Sequence, residues 1–149
     1  MTTEVNINRQ TVLHAQRDIS YDDFVSGTAK NLIHLQPGTR IIGGYIEVHE
    51  GWNSETSATI AIGDTVGSTP DVDKYHTAED IHDGTITAAT VIALDHPPVA
   101  GGVIPAGGAW LTATVTVVDA AGDLDEGSAT IHIDYIEDGR VSEYNTFRG

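Results

Sequence analysis

Trp110-Leu111-Thr112-Ala113-Thr114-Val115-Thr116-Val117-Val118 alternates apolar and polar side chains with period two. Leu111, Ala113, Val115 and Val117 fall on one side and three threonines on the other, the pattern of a half-buried strand. Downstream, Thr130 to Glu137 sets Ile131, Ile133 and Tyr135 opposite His132 and Asp134, and its parity slips at Ile136, which predicts a bulge. Upstream, Ile60 and Ile62 share one face, and within Ile41 to His49 the residues Ile42, Ile46 and Val48 share a parity that predicts the core side. Asn31 to Leu35, Thr85 to Leu94 and Val12 to Ile19 are further strand candidates, and one helical segment is predicted near Tyr75 to His82.

The connectors agree with a chain of short strands. Gln36-Pro37-Gly38-Thr39 and Ile104-Pro105-Ala106-Gly107-Gly108 are turn sequences with proline where φ must be preset. Longer loops run from Gly63 to Asp73, from His96 to Gly102 and from Ala120 to Gly127. Many short strands separated by turn residues predict an all-β sandwich or barrel. The 149 residues match one domain. Residues 11–137 carry the sandwich pattern, 1–10 form an extended N-terminal segment and 138–149 a C-terminal tail.

Composition narrows the chemistry. The chain has no cysteine, which removes disulfides, thiolate metal sites and a cysteine nucleophile. Seven Lys+Arg stand against 22 Asp+Glu, a formal net charge of -15, so phosphate backbones and anionic membranes would be repelled. Attraction would run toward basic protein surfaces or divalent cations. The start of the chain has neither a basic stretch nor an apolar core, so no secretory signal is expected. No apolar run is long enough for a membrane-spanning helix.

No catalytic constellation is legible. There is no G-x-S-x-G elbow and no glycine-rich loop carrying a phosphate-binding lysine. Two loops gather carboxylates, Asp64, Asp71 and Asp73 in one and Asp119, Asp123, Asp125 and Glu126 in the other, but neither has the spacing of a calcium-binding loop. Seven histidines (His14, His34, His49, His76, His82, His96 and His132) show no zinc-like pairing and are expected as surface or half-buried polar residues. No catalytic residue, metal or cofactor is therefore expected. Trp110 reads as a core residue sealing the sandwich. Trp52, in the turn after Gly51, is a candidate either for packing on the rim or for an interface, and Tyr75 is a second exposed-contact candidate. In the tail, Arg140, Tyr144, Phe147 and Arg148 make an aromatic-arginine mixture of the kind common at interfaces.

The order of these segments resembles the virion structural proteins of tailed bacteriophages. The residues that carry the resemblance are QPGTRI (Gln36 to Ile41), GGYIEVHEGWNSETSATIAIGDT (Gly43 to Thr65), DVDKY (Asp71 to Tyr75), IPAGGAWLTATVT (Ile104 to Thr116) and GSATIHIDYIEDGR (Gly127 to Arg140). It spans roughly residues 32–140 and rests on order and texture, with Gly67 to Pro70 and the long N-terminal stretch as departures. The resemblance implies a jelly-roll-like antiparallel β-sandwich. It further implies a non-enzymatic head decoration (cement) protein on the outer surface of the capsid, bridging subunits of the major capsid protein as a homo-oligomer, a dimer or trimer. A head-fibre, tail-associated or carbohydrate-binding host-attachment module is the alternative.

Overall fold

The computed structural model describes residues 12–54, 56–95, 102–118 and 125–137. Eight strands follow in chain order: β1 (Leu13–Ser20), β2 (Ala29–Leu35), β3 (Thr39–Glu50), β4 (Ser57–Asp64), β5 (Asp71–Asp80), β6 (Thr90–Ala93), β7 (Ala109–Val118) and β8 (Ser128–Glu137). A single 3-10 turn, Tyr21–Asp23, follows β1, and the described residues contain no α-helix. The strands form two four-stranded antiparallel sheets, ordered β1-β8-β3-β6 and β2-β7-β4-β5. Each strand of the first half pairs with its mirror in the second half, β1 with β8, β2 with β7, β3 with β6 and β4 with β5. That is one long hairpin rolled over on itself, the jelly-roll arrangement. The all-β jelly-roll expectation holds.

The alternation in the sequence explains the packing. Leu111, Ala113 and Val115 of β7 and Ile131 and Ile133 of β8 point inward and meet Ile60 and Ile62 of β4 and Ile46 and Val48 of β3 in one core. Gln36 to Thr39 closes as a turn, with the Thr39 amide donating to the Gln36 carbonyl at 3.1 Å and Gly38 at φ 85°, where a side chain would be strained. The Pro105 turn closes the same way, the Gly108 amide donating to the Pro105 carbonyl at 3.0 Å.

Five expectations about elements change. Residues Tyr75 to His82 hold no helix: Asp71–Asp80 is the edge strand β5, fixed by pairing such as Ile62 with His76 and Ile60 with Glu79. The parity slip at Ile136 does not mark a bulge in β8, which pairs without a break; the bulge lies opposite, in β3, between Ile41 and Gly43. Ile42 is its extra residue, so the core side chain is Ile41, buried, and Ile42 is only half-buried. Of the stretch Thr85 to Leu94, only Thr90–Ala93 forms strand (β6), because Asp80 caps a turn ahead of it. Trp110 does not seal the core: it shares the outward side of β7 with the threonines, is 39% exposed, and packs edge-on against His34 at 5.1 Å.

Candidate functional site

The outward side of the sheet β1-β8-β3-β6 carries a polar assembly that spans three strands. Register places the groups: His14 stands opposite Asp134, Gln16 opposite His132 and Asp18 opposite Thr130 across β1 and β8, and Tyr45 and Glu47 of β3 stand opposite His132 and Thr130. The side chains join in a chain. Asp134 Oδ1 lies 2.9 Å from His14 Nδ1, His14 Nε2 lies 3.1 Å from His132 Nδ1, and His132 Nε2 lies 3.1 Å from Glu47 Oε2. The Tyr45 ring stacks on His132, with centroids 4.3 Å apart. Beside it, the Thr130 hydroxyl donates to Asp18 Oδ1 at 2.7 Å and so must accept from His49 Nε2 at 2.9 Å. His49 is the extra residue of a second β3 bulge, between Val48 and Glu50.

This face continues into an open cleft of about 420 Å³ whose lining includes Asp18, Ser20, Asp23, His49, Ser128 and Thr130. Asp23 is held by Lys30 at 3.2 Å and by the Ser20 amide at 2.8 Å. Partial burial opposes ionisation of Asp23, but the Ser20 amide and Lys30 outweigh it and hold the carboxyl below its ordinary range.

The loop carboxylates do not converge. Asp64 is fully buried; it accepts the Tyr75 hydroxyl at 2.7 Å, Lys74 Nζ at 3.0 Å and the Val66 amide at 3.1 Å. Burial first, and then the Asp64 carboxylate, push the Tyr75 phenol well above its ordinary value, so it stays a donor. Asp71 and Asp73 face solvent, and Asp125 and Glu126 instead give their amides to the Asn53 side chain at 3.0 and 2.9 Å. Among the described residues no three His, Asp or Glu side chains surround a common point as metal ligands would. His76 is buried, accepts the Asp95 amide on Nδ1 at 3.2 Å and turns Nε2 toward Glu79 at 3.7 Å.

Two interface candidates are corrected. Trp52 and Tyr75 are 0% and 1% exposed, so neither presents a ring to a partner or glycan. Trp52 plugs one end of the sandwich: its amide donates to the Ile81 carbonyl at 2.8 Å, it accepts the Asp83 amide at 2.9 Å, and Gly127 lies flat on its ring, where a β-carbon would come within 2.8 Å of Cγ. Tyr75 is drawn in by Asp64. Arg140, Tyr144, Phe147 and Arg148 lie outside the described residues, as do the segments 1–10 and 138–149. The histidine network was not legible beforehand, because its members lie 118 and 85 residues apart and only strand pairing joins them.

No protein-family model and no curated protein sequence matches the chain. Solved structures do. The chain is similar to one from the cyanophage Pam1 capsid asymmetric unit, with a TM-score of 0.62 and 13% identity over 86% of each chain. It is similar to a chain of the capsid of Ralstonia phage GP4, with a TM-score of 0.57 and 12% identity over 85% of this chain and 84% of that one. A chain in the acidic stable capsid of Helicobacter pylori bacteriophage KHP30 gives a TM-score of 0.55 and 13% identity over 86% of this chain and 89% of that one. At such identities the likeness is one of fold, and it runs nearly end to end in every pair.

Proposed function

We propose that the chain is a structural protein of a phage virion and, more finely, a decoration protein that binds the outside of the head and bridges capsid subunits. The observation that carries this reading is the eight-strand jelly roll matched over most of its length by chains from three phage capsids. Physical features support it. A formal charge of -15 favours contact with protein over packaged DNA, and therefore the outer surface. The partner is the major capsid protein, with the chain acting as a dimer or trimer; repetition on a symmetric lattice lets modest contacts add through avidity. The terminal segments, with Arg140, Tyr144, Phe147 and Arg148, are the parts proposed to reach neighbouring subunits. The host-attachment alternative loses two of its candidate contact residues with the burial of Trp52 and Tyr75.

The test adds the purified chain to heads assembled without it from the capsid protein of the same genome, followed by electron microscopy and thermal rupture. The expected result is ordered density on the outer surface and a raised rupture temperature, both reduced for a chain ending at Asp138. Density inside the shell, or only on the tail, overturns the decoration reading. Full protection by the shortened chain overturns the role of the tail.

A further inference from the structure

We infer that His14 and His132 share a single proton, and that this proton clamps the edge strand β1 to the sheet only within a bounded range of pH. The inference concerns the isolated chain and does not depend on where it sits in a virion.

The argument is a count of hydrogens. Each imidazole has two ring nitrogens, and here all four have a partner. His14 Nδ1 faces the Asp134 carboxylate and His132 Nε2 faces the Glu47 carboxylate. An ionised carboxylate only accepts, so both of these nitrogens must carry hydrogen. The remaining two nitrogens, His14 Nε2 and His132 Nδ1, face each other at 3.1 Å, which is hydrogen-bond distance and needs one hydrogen between them. The centroids are 5.2 Å apart, so the rings point nearly head to head, as an N–H···N bond requires. Three hydrogens on two rings give the pair one positive charge. Two carboxylates flank that charge, and the face of the Tyr45 ring lies against His132.

A fourth hydrogen would set N–H against N–H between the rings; loss of the third would leave one of the three contacts, ring to ring or ring to carboxylate, without its hydrogen. The complete set of three bonds therefore exists in one protonation state and is broken on either side of it. The other titratable groups of this face are Asp18 on β1, Tyr45, Glu47, His49 and Glu50 on β3, and Asp134 on β8; Arg40 lies at its far end, opposite Ile136, and the β6 positions, Val91 and Ala93, carry no charge. His49 approaches Glu47 Oε1 at 3.6 Å from the other side, so Glu47 is shared between two histidines.

The clamp matters because β1 is an edge strand whose further side-chain tie to β8 is the bond from Thr130 to Asp18. The strand pairs with β8 alone and buries only Ile19 fully. His14 is the second residue of β1, so the clamp acts at the start of that strand.

Imidazole nitrogen NMR on the full chain tests the count directly. The expected spectrum near neutral pH shows N–H at His14 Nδ1 and His132 Nε2 and one further hydrogen shared by the facing nitrogens. Hydrogen exchange of the β1 amides should then be slowest at intermediate pH and at least tenfold faster toward both acid and alkali, while the β7 amides, corrected for intrinsic exchange, change less. In His14→Gln and His132→Gln the β1 protection should lose this maximum. Two neutral rings throughout the pH range of the folded protein, or β1 protection that follows β7 at every pH, would overturn the inference. The wild-type spectrum decides the matter even if a variant fails to fold.

Discussion

Thr130 and Thr114 occupy corresponding places in the two sheets: each lies on the outward side of a central strand, and they are 5% and 9% exposed. Their surroundings are opposite. Thr130 stands between Asp18 and Glu47, and its hydroxyl both donates and accepts. Thr114 stands between Ala29 and Ala61, and its hydroxyl has no partner; Thr112, between Asn31 and Gly63, has none either. One outer face is therefore knit by side-chain hydrogen bonds and the other by small residues packed side by side. Buried hydroxyls of the same residue type stabilise in the first setting and cost desolvation in the second. Register, which sets what stands opposite each threonine, decides the sign.

The second sheet keeps its polar bonding inside instead. Asp64 is an inward residue of β4 with three donors around it, Lys74 among them. Asp64→Asn removes the charge and leaves the largely buried Lys74 ammonium unanswered, and breaking a buried pair in this way costs about 3–5 kcal/mol. This is the largest effect expected here, read as a shift in the denaturation midpoint at unchanged slope. A loss below that of a surface substitution would mean that solvent reaches the site.

Between the two faces lies a common core, and truncation should not distinguish the sheets. Ile60→Ala in β4 and Ile131→Ala in β8 each remove a fully buried side chain, a change of about 2–5 kcal/mol. Near-equal losses by denaturant melts are the expected outcome. A much smaller loss at one position would show that its sheet packs loosely and that the contrast extends inward.

Much of this was readable in advance, for a reason that also explains the failures. Period-two alternation reports which residues share a side, so Leu111, Ala113 and Val115 fall inward and His132 on the opposite side of β8 from Ile131 and Ile133, but it does not report depth: His132 and His76, expected as surface or half-buried, are buried. The same rule, applied strictly, puts Trp110 outside with the threonines; a preference for burying large aromatics overrode it. Alternation cannot see a bulge within a strand, and the one in β3 exchanged Ile42 for Ile41. Nor does it report pairing. His14, His132 and Glu47 are far apart in the chain and meet only because β8 lies between β1 and β3. Trp52 and Tyr75 look like surface residues beside their polar neighbours, and only the closure of the sandwich end and the buried Asp64 carboxylate draw them in.

The knit face predicts a cost for its own threonine. Thr130→Val keeps the shape and removes a hydroxyl that bonds Asp18 and His49, leaving Asp18 without its donor from β8 and His49 Nε2 without its acceptor. The expected loss is about 0.5–1.5 kcal/mol by thermal or chemical melting, because Asp18 and His49 face solvent and water answers part of the lost bonding.

The smallest effect belongs to the packed face, and its sign matters more than its size. Thr112 Oγ1 and Thr114 Oγ1 are buried with no hydrogen-bond partner, so the folded chain bears the desolvation of two hydroxyls that water satisfies when it unfolds. Valine has nearly the same shape, fits the same strand rotamer and prefers strands at least as well. Thr112→Val should therefore be neutral or stabilising by up to about 1 kcal/mol, while the matched change at Thr130 destabilises. Thr112 is the sharper of the two packed positions because it is 1% exposed, so solvent offers its hydroxyl little in the folded state. Parallel melts of the two variants measure the contrast directly. A destabilising Thr112→Val equal to Thr130→Val would mean that the Thr112 hydroxyl finds a partner, and the two faces would then be held by the same kind of bond.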